Sequence, residues 1–179
     1  MMRRTINIIL ILISTLSYAQ NETEIEVFRK IIDNEISNAG IFIRCEKPKT
    51  FFNSIEFKEQ TGILLPENIL EELTQSSNLN YDGKWNAKII KDLNQKYSSD
   101  IIKKDKCLTL KDSERLYKKT GKRQSIVLIS QPIFDSKFEY CIVSVSYLKF
   151  TGSAYGQKYL LKKVNGIWTI VIEYENWLS

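Results

Sequence analysis

Two apolar runs with a period of two meet at Asn165-Gly166, and this junction constrains the fold more than any other part of the chain. Asn-Gly supplies the two positive-φ positions of a tight hairpin turn, so residues 157–164 and 167–174 are expected to pair antiparallel. A two-residue turn also sets the register. Val164 should face Ile167, and on one side of the ribbon Lys163 should meet Trp168, Leu161 meet Ile170 and Tyr159 meet Ile172. The other side should pair Lys162 with Thr169, Leu160 with Val171 and Lys158 with Glu173. The first side is the more aromatic and is expected to face the core. The second, with its opposite charges, reads as solvated or partly covered.

The alternation extends upstream. Residues 125–133, rich in β-branched side chains and ending near Pro132, and residues 140–150 (YCIVSVSYLKF) read as two further strands. Trp177 should close the chain as an apolar anchor. Before Ser125 the period is helical. Thr23-Glu24-Ile25-Glu26 fits a capping box, with Ile25, Phe28, Ile32 and Ile36 following at helical spacing and Gly40 at a C-cap position, which predicts a helix over 24–38. Ile41, Ile43 and Cys45 alternate as a short strand. Residues 49–64 are ambiguous, anchored by Phe51, Phe52, Ile55 and Phe57. Pro66 suits the first turn of a helix whose apolar face is Ile69, Leu70 and Leu73. Asp82-Gly83 marks a turn, Trp85, Ile89, Leu93 and Tyr97 form a helical stripe, and a helix over 112–120 should end at Gly121. The fold class is therefore α+β: N-terminal helices packed on a C-terminal four-stranded antiparallel meander.

Residues 1–19 stand apart from this pattern. Arg3 and Arg4 precede the apolar run 8–16, and Ser17-Tyr18-Ala19 puts small residues where signal peptidase reads them. The run is less than half of the roughly 20 residues a spanning helix needs. A cleaved signal peptide over 1–19 is expected, with Gln20 as the new N-terminus and a single domain over 20–179, helical in 20–122 and a meander in 125–178. Export would be to the periplasm or the medium, with no stable membrane span after cleavage. Losing Arg3 and Arg4 leaves 24 basic against 21 acidic side chains, a mild balance that argues against a nucleic-acid partner. The richest basic run, Lys118-Lys119-Thr120-Gly121-Lys122-Arg123, falls at a helix end, where cations suit the helix dipole. Gly (7) and Pro (3) are too scarce for a collagen-like or low-complexity chain.

Histidine is absent, which excludes Ser-His-Asp and Cys-His catalysis, His-ligated metals and an imidazole pH switch. Of the three cysteines, Cys141 lies in an apolar strand pattern and reads as a core residue. Cys45 and Cys107 lie near segment ends and are the pair best placed to form a disulfide, if one forms. No CxxC spacing supports a zinc site, and no metal or cofactor is expected.

The motifs Gln131-Pro132-Ile133-Phe134, the strand YCIVSVSYLKF, Tyr159-Leu160-Leu161-Lys162-Lys163, Asn165-Gly166-Ile167-Trp168 and the final Trp177-Leu178-Ser179 resemble the C-terminal part of many small exported bacterial proteins of unknown function. Those often carry Ser-Lys-Pro-Ile-Phe, Lys-Lys-x-x-Gly-x-Trp and a terminal Trp-Ile-Ser. This chain departs mildly at Ser130-Gln131 and Leu178. The resemblance covers about a third of the chain and implies a shared β-meander and secretion, with no activity.

Catalytic constellations are weak. Tyr159 and Lys163, with Ser146 upstream, match the Tyr-x-x-x-Lys spacing of short-chain dehydrogenases, but that spacing acts on a helix and no Gly-rich dinucleotide loop accompanies it. Glu71 and Glu72, Asp33 and Glu35, and Glu173 and Glu175 could in principle be carboxylate pairs, yet each reads more simply as a solvated position. The loop Thr151–Gly156, with Gly152, Ser153, Tyr155 and Gly156, is the candidate ligand-binding segment, since loops on rigid sheets often carry binding. The expected role is a non-catalytic exported domain that binds an envelope or extracellular macromolecule, a protein or a glycan. A small exported hydrolase and an immunity or inhibitor protein are the alternatives.

Overall fold

The computed structural model describes residues 22–34, 40–96, 106–150 and 152–179. The expected signal peptide, Glu35, Ile36, Tyr97 and Thr151 lie outside them. Helix α1 covers residues 22–34. It is followed by β1 (Phe42–Ile43), β2 (Glu46–Lys47), α2 (Ser54–Thr61), α3 (Glu67–Leu79), β3 (Gly83–Lys84), α4 (Ala87–Lys96) and α5 (Leu110–Thr120). The C-terminal third is β4 (Ser125–Ile129), β5 (Ile133–Phe134), β6 (Tyr140–Lys149), β7 (Ala154–Val164) and β8 (Ile167–Leu178). The fold is α+β, and the C-terminal strands form a meander as expected. The sheet is six-stranded rather than four-stranded, in the order β1-β4-β6-β7-β8 with β5 also on β6. The extra strands are short. β1 runs parallel to β4, and β5 is the far end of the expected 125–133 strand.

Residue 22 is already helical, so Thr23 lies inside α1 rather than at its N-cap position. The capping box sits instead at α5, where Thr109 and Asp112 bond each other's backbone N–H groups. Pro66 is the N-cap of α3, and Gly121 closes α5 in the left-handed region at φ 65°. Asn53 caps α2, which orders the ambiguous segment: Phe52 and Phe57 turn inward while Phe51 and Ile55 stay exposed. Trp85 precedes α4. Its N–H bonds the Cys45 carbonyl at 2.9 Å, so it joins the core from extended backbone.

Both faces of the sheet are buried. On one, Cys141, Val143 and Val145 of β6 and Tyr159 and Leu161 of β7 pack with Phe28, Ile31 and Ile32 of α1 and with Trp85, Ile89, Ile90 and Leu93. The opposite face carries Ile142 and Leu160 against Phe57 of α2 and Ile69, Leu70 and Leu73 of α3. Farther along β6, Leu148 joins Phe42, Leu108 and Ile126 beside Leu116 of α5. The face expected to be solvated or partly covered is thus a second core.

Strand β8 shows how one strand serves both. The first four pairs, Val164–Ile167 to Leu161–Ile170, follow the expected register. Leu160 then pairs with Ile172 instead of Val171, Tyr159 with Glu173 and Lys158 with Tyr174. Val171 is the extra residue of a β-bulge. Because side chains alternate strictly, one extra residue sends the following positions to the opposite face. Trp168 and Ile170 therefore serve the first core, while Ile172 and Tyr174 serve the second. The expected Lys158–Glu173 ion pair is replaced by Lys158–Glu175.

Cys45 and Cys107 form a disulfide across 62 positions, and Cys141 is a buried free thiol.

Candidate functional site

The site begins with a break in the sheet edge. β4 pairs with β6 as far as Ile129–Val145, and β5 resumes at Ile133–Ile142, one residue out of step. Pro132 has no N–H to give a ladder, and the slack bulges out at Ser130–Pro132. Gln131 is thereby turned from β6 toward the chain before α2. Its N–H donates to the Pro48 carbonyl at 2.8 Å, and its carbonyl accepts from the Thr50 hydroxyl. Thr50 also shares a hydrogen bond with the Ser130 hydroxyl, and Ser77 Oγ donates to the Thr50 carbonyl at 2.9 Å. This buried hydroxyl chain fixes the C-terminal half of α3 against the bulge.

The β5–β6 turn forms the other wall. The Phe138 N–H bonds the Asp135 carbonyl at 3.1 Å, and Phe138 sits in the left-handed region at φ 55°. Asp135 Oδ1 accepts the N–H groups of Glu139 and Tyr140 at 2.8 and 2.6 Å. From α3, the Glu72 carboxylate accepts the Ser136 N–H at 2.8 Å. That backbone hydrogen bond, foremost among the causes, holds the Glu72 carboxyl below its ordinary range.

Between these walls lies a groove of about 480 Å³. Its rim is apolar: Leu79 is 82% exposed, Tyr81 68% and Phe138 37%. Three of its lining residues each carry a buried acceptor atom, Asn80 Oδ1, Gln131 Oε1 and Asp135 Oδ2, with no hydrogen-bond partner among the described residues. Asp135 is only 1% exposed. Among the described residues it is also the only formally charged one in the lining, which holds no Lys, Arg or Cys. Most buried polar side-chain atoms in proteins are paired with protein or water, so three unpartnered acceptors on residues of one groove make it the candidate binding surface.

The sequence reading did not select this groove. Its acceptors come from positions 80, 131 and 135, and only the bulge brings the second beside the others. One signal was available: Asp135-Ser136-Lys137-Phe138 between two apolar runs has Asp at the first position of a turn.

The loop residues singled out from the sequence lie at the other end of the sheet. The Gly152 N–H bonds the Lys149 carbonyl at 2.8 Å, and the Lys149 N–H bonds the Ser153 carbonyl at 3.0 Å. Gly152 and Ser153 are exposed in this turn. Tyr155 and Gly156 belong to β7. Tyr155 stacks on Tyr147, its cross-strand partner, at 4.6 Å between ring centres. Gly156 lies beneath the Trp177 indole. Adjacent strand residues face opposite sides, so these two do not converge on one surface.

Tyr159 and Lys163 share one face of β7; Tyr159 is wholly buried in the first core and Lys163 pairs with Glu26. Glu71 is exposed, Glu72 is committed to Ser136, and Glu175 to Lys158. Among the described residues no three Cys, Asp or Glu side chains converge as metal ligands, and no helix is long and apolar enough to cross a membrane.

No family model, no curated protein and no solved structure matches the chain.

Proposed function

We propose that the mature chain is an exported, non-catalytic domain, periplasmic or extracellular, that binds an envelope or extracellular macromolecule through the groove between α3 and the β5–β6 turn. The observation that carries this reading is the set of three unpartnered acceptors under an apolar rim. Such a surface combines orientation by hydrogen bonds with the desolvating contact that binding sites use. Export rests on the signal-like residues 1–19 and on the resemblance of the C-terminal motifs to secreted proteins.

The test is groove-dependent capture. Purified chain is presented to envelope and medium fractions of the producing cell, beside the Tyr81→Ala/Phe138→Ala variant. One macromolecule retained by the wild type and lost from the variant is the expected result. Retention that ignores the variant, or turnover in a hydrolase panel, overturns the reading. N-terminal sequencing of the exported chain should start at Gln20, and a start at Met1 removes the export part.

A further inference from the structure

We infer that the groove receives a guanidinium group, the side chain of an arginine presented by a partner polypeptide. This rests on the groove being the binding surface proposed above, and adds the chemistry of its occupant.

Charge complementarity is the first argument. Among the described residues the lining carries one formal charge, the Asp135 carboxylate, and no cation. Asp135 Oδ1 is taken up by two turn N–H groups, and Oδ2 is buried without a partner among the described residues. A carboxylate oxygen can only accept, so its natural complement is a charged donor.

The second argument is the distribution of the acceptors. Asn80 ends α3, Gln131 sits on the β4–β5 bulge, and Asp135 opens the β5–β6 turn. An ammonium concentrates its charge at one strongly hydrated point. A guanidinium spreads five N–H donors around a plane and is more weakly hydrated, so it can serve acceptors supplied by separate segments.

Aromatic surface is the third. Tyr81 and Phe138 stand exposed on the rim, and the Phe134 ring lies 5.2 Å from Phe138. Ring faces attract cations, arginine most often. Phe138 is also at a positive φ that bulky residues avoid, a strained conformation that its surroundings must maintain. A sugar could use the rings and donate hydroxyls to the carboxylate, but it would bring no counter-charge to Asp135.

The experiment is a titration followed by the backbone amide signals of Ser136, Glu139 and Tyr140. The probes are acetyl-arginine methylamide, its neutral isostere acetyl-citrulline methylamide, acetyl-lysine methylamide and methyl glucoside. The arginine probe should shift all three signals saturably, and citrulline should bind roughly tenfold or more weakly, as expected for losing a hydrogen bond to a charged group. Asp135→Asn keeps an oxygen for the turn amides and should erase the preference for arginine over citrulline. If that variant does not fold, Gln131→Leu and Tyr81→Ala replace it, and each should weaken the arginine probe. Equal response to citrulline, a stronger response to lysine or glucoside, or arginine binding that survives all folded variants overturns the inference. Absence of arginine binding alongside groove-dependent capture removes this inference and leaves the binding function standing. Arginine binding without any captured partner does the reverse.

Discussion

Gly156 and Trp177 form one cross-strand pair, and the indole lies where a side chain on the glycine would be. A Cβ built there would come within 2.6 Å of three indole atoms. The sequence marks Gly156 as a turn residue; the structure shows a residue kept small for close approach, a distinction that needs the partner at position 177. Gly156→Ala should therefore displace the indole and cost about 1–3 kcal/mol, as overpacking does. Urea unfolding measures the loss, and a Trp177→Ala background should remove most of it, since the two positions are directly coupled. An equal cost in both backgrounds sinks the explanation. Phe138 offers the opposite case. Its left-handed backbone costs about 1–3 kcal/mol, which glycine would not incur. Its contact with Phe134 is worth about 0.5–1.5 kcal/mol beyond burial. Phe138→Gly should thus leave stability within about 1 kcal/mol of the wild type while weakening ligand capture by the groove. A large drop in the unfolding midpoint would show that the ring is there for the core.

At the scale of elements, Asn165-Gly166 made the hairpin legible, including its first four pairs. It could not reveal the bulge at Val171, because an extra residue in an apolar strand changes neither composition nor turn chemistry. The alternation of residues 167–174 looks unbroken on the page. It is broken in space because two cores compete for the even-numbered side chains. The β4–β5 bulge was half legible: Pro132 marked the stop, but the resumption at Ile133 and the outward turn of Gln131 depend on β6. Bulges make a length prediction. Deleting Val171 joins Ile170 to Ile172 and restores a regular ladder with the same partners and faces, so the chain should fold with a loss of about 1–2 kcal/mol. Deleting Thr169 instead throws Trp168 out of step with Lys163, or everything after it out of step with both cores. Amide signal dispersion and urea midpoints on the two deletions decide between them. Equal tolerance would mean that β8 is not held in register by burial.

Across the whole molecule, the disulfide and the two cores determine how the chain comes apart. The closed loop spans β2, α2, α3, β3 and α4, so Cys45→Ala/Cys107→Ala should lower stability by about 4 kcal/mol in the chain-entropy account. Thiol titration should find no reactive cysteine in the native protein and one after denaturation. The sequence had left the pairing open, since only the fold sets Cys45 beside residue 107. The remaining thiol and one tyrosine set the alkaline limit. Burial, chief among the causes, pushes the Cys141 thiol well above its ordinary 9.0 and the Tyr174 hydroxyl far above its ordinary 10.0. Tyr174 sits against Phe57 in the second core, its hydroxyl without a hydrogen-bond partner among the described residues. Both groups stay protonated in the folded chain while the unfolded chain ionises at the ordinary values. The unfolded state then binds fewer protons, and stability falls as pH rises. The slope from these groups should approach about 1.4 kcal/mol per pH unit above pH ~9, as Cys141 ionises in the unfolded chain, and about twice that above pH ~10, where Tyr174 joins. Other tyrosines and the lysines also titrate there, so the comparison is with Cys141→Ala/Tyr174→Phe. That variant loses some packing at every pH, but the steep part of its curve should flatten, because neither protonation difference remains. Parallel curves for the two proteins between pH ~8 and ~11 would mean that something other than these buried groups governs the alkaline limit.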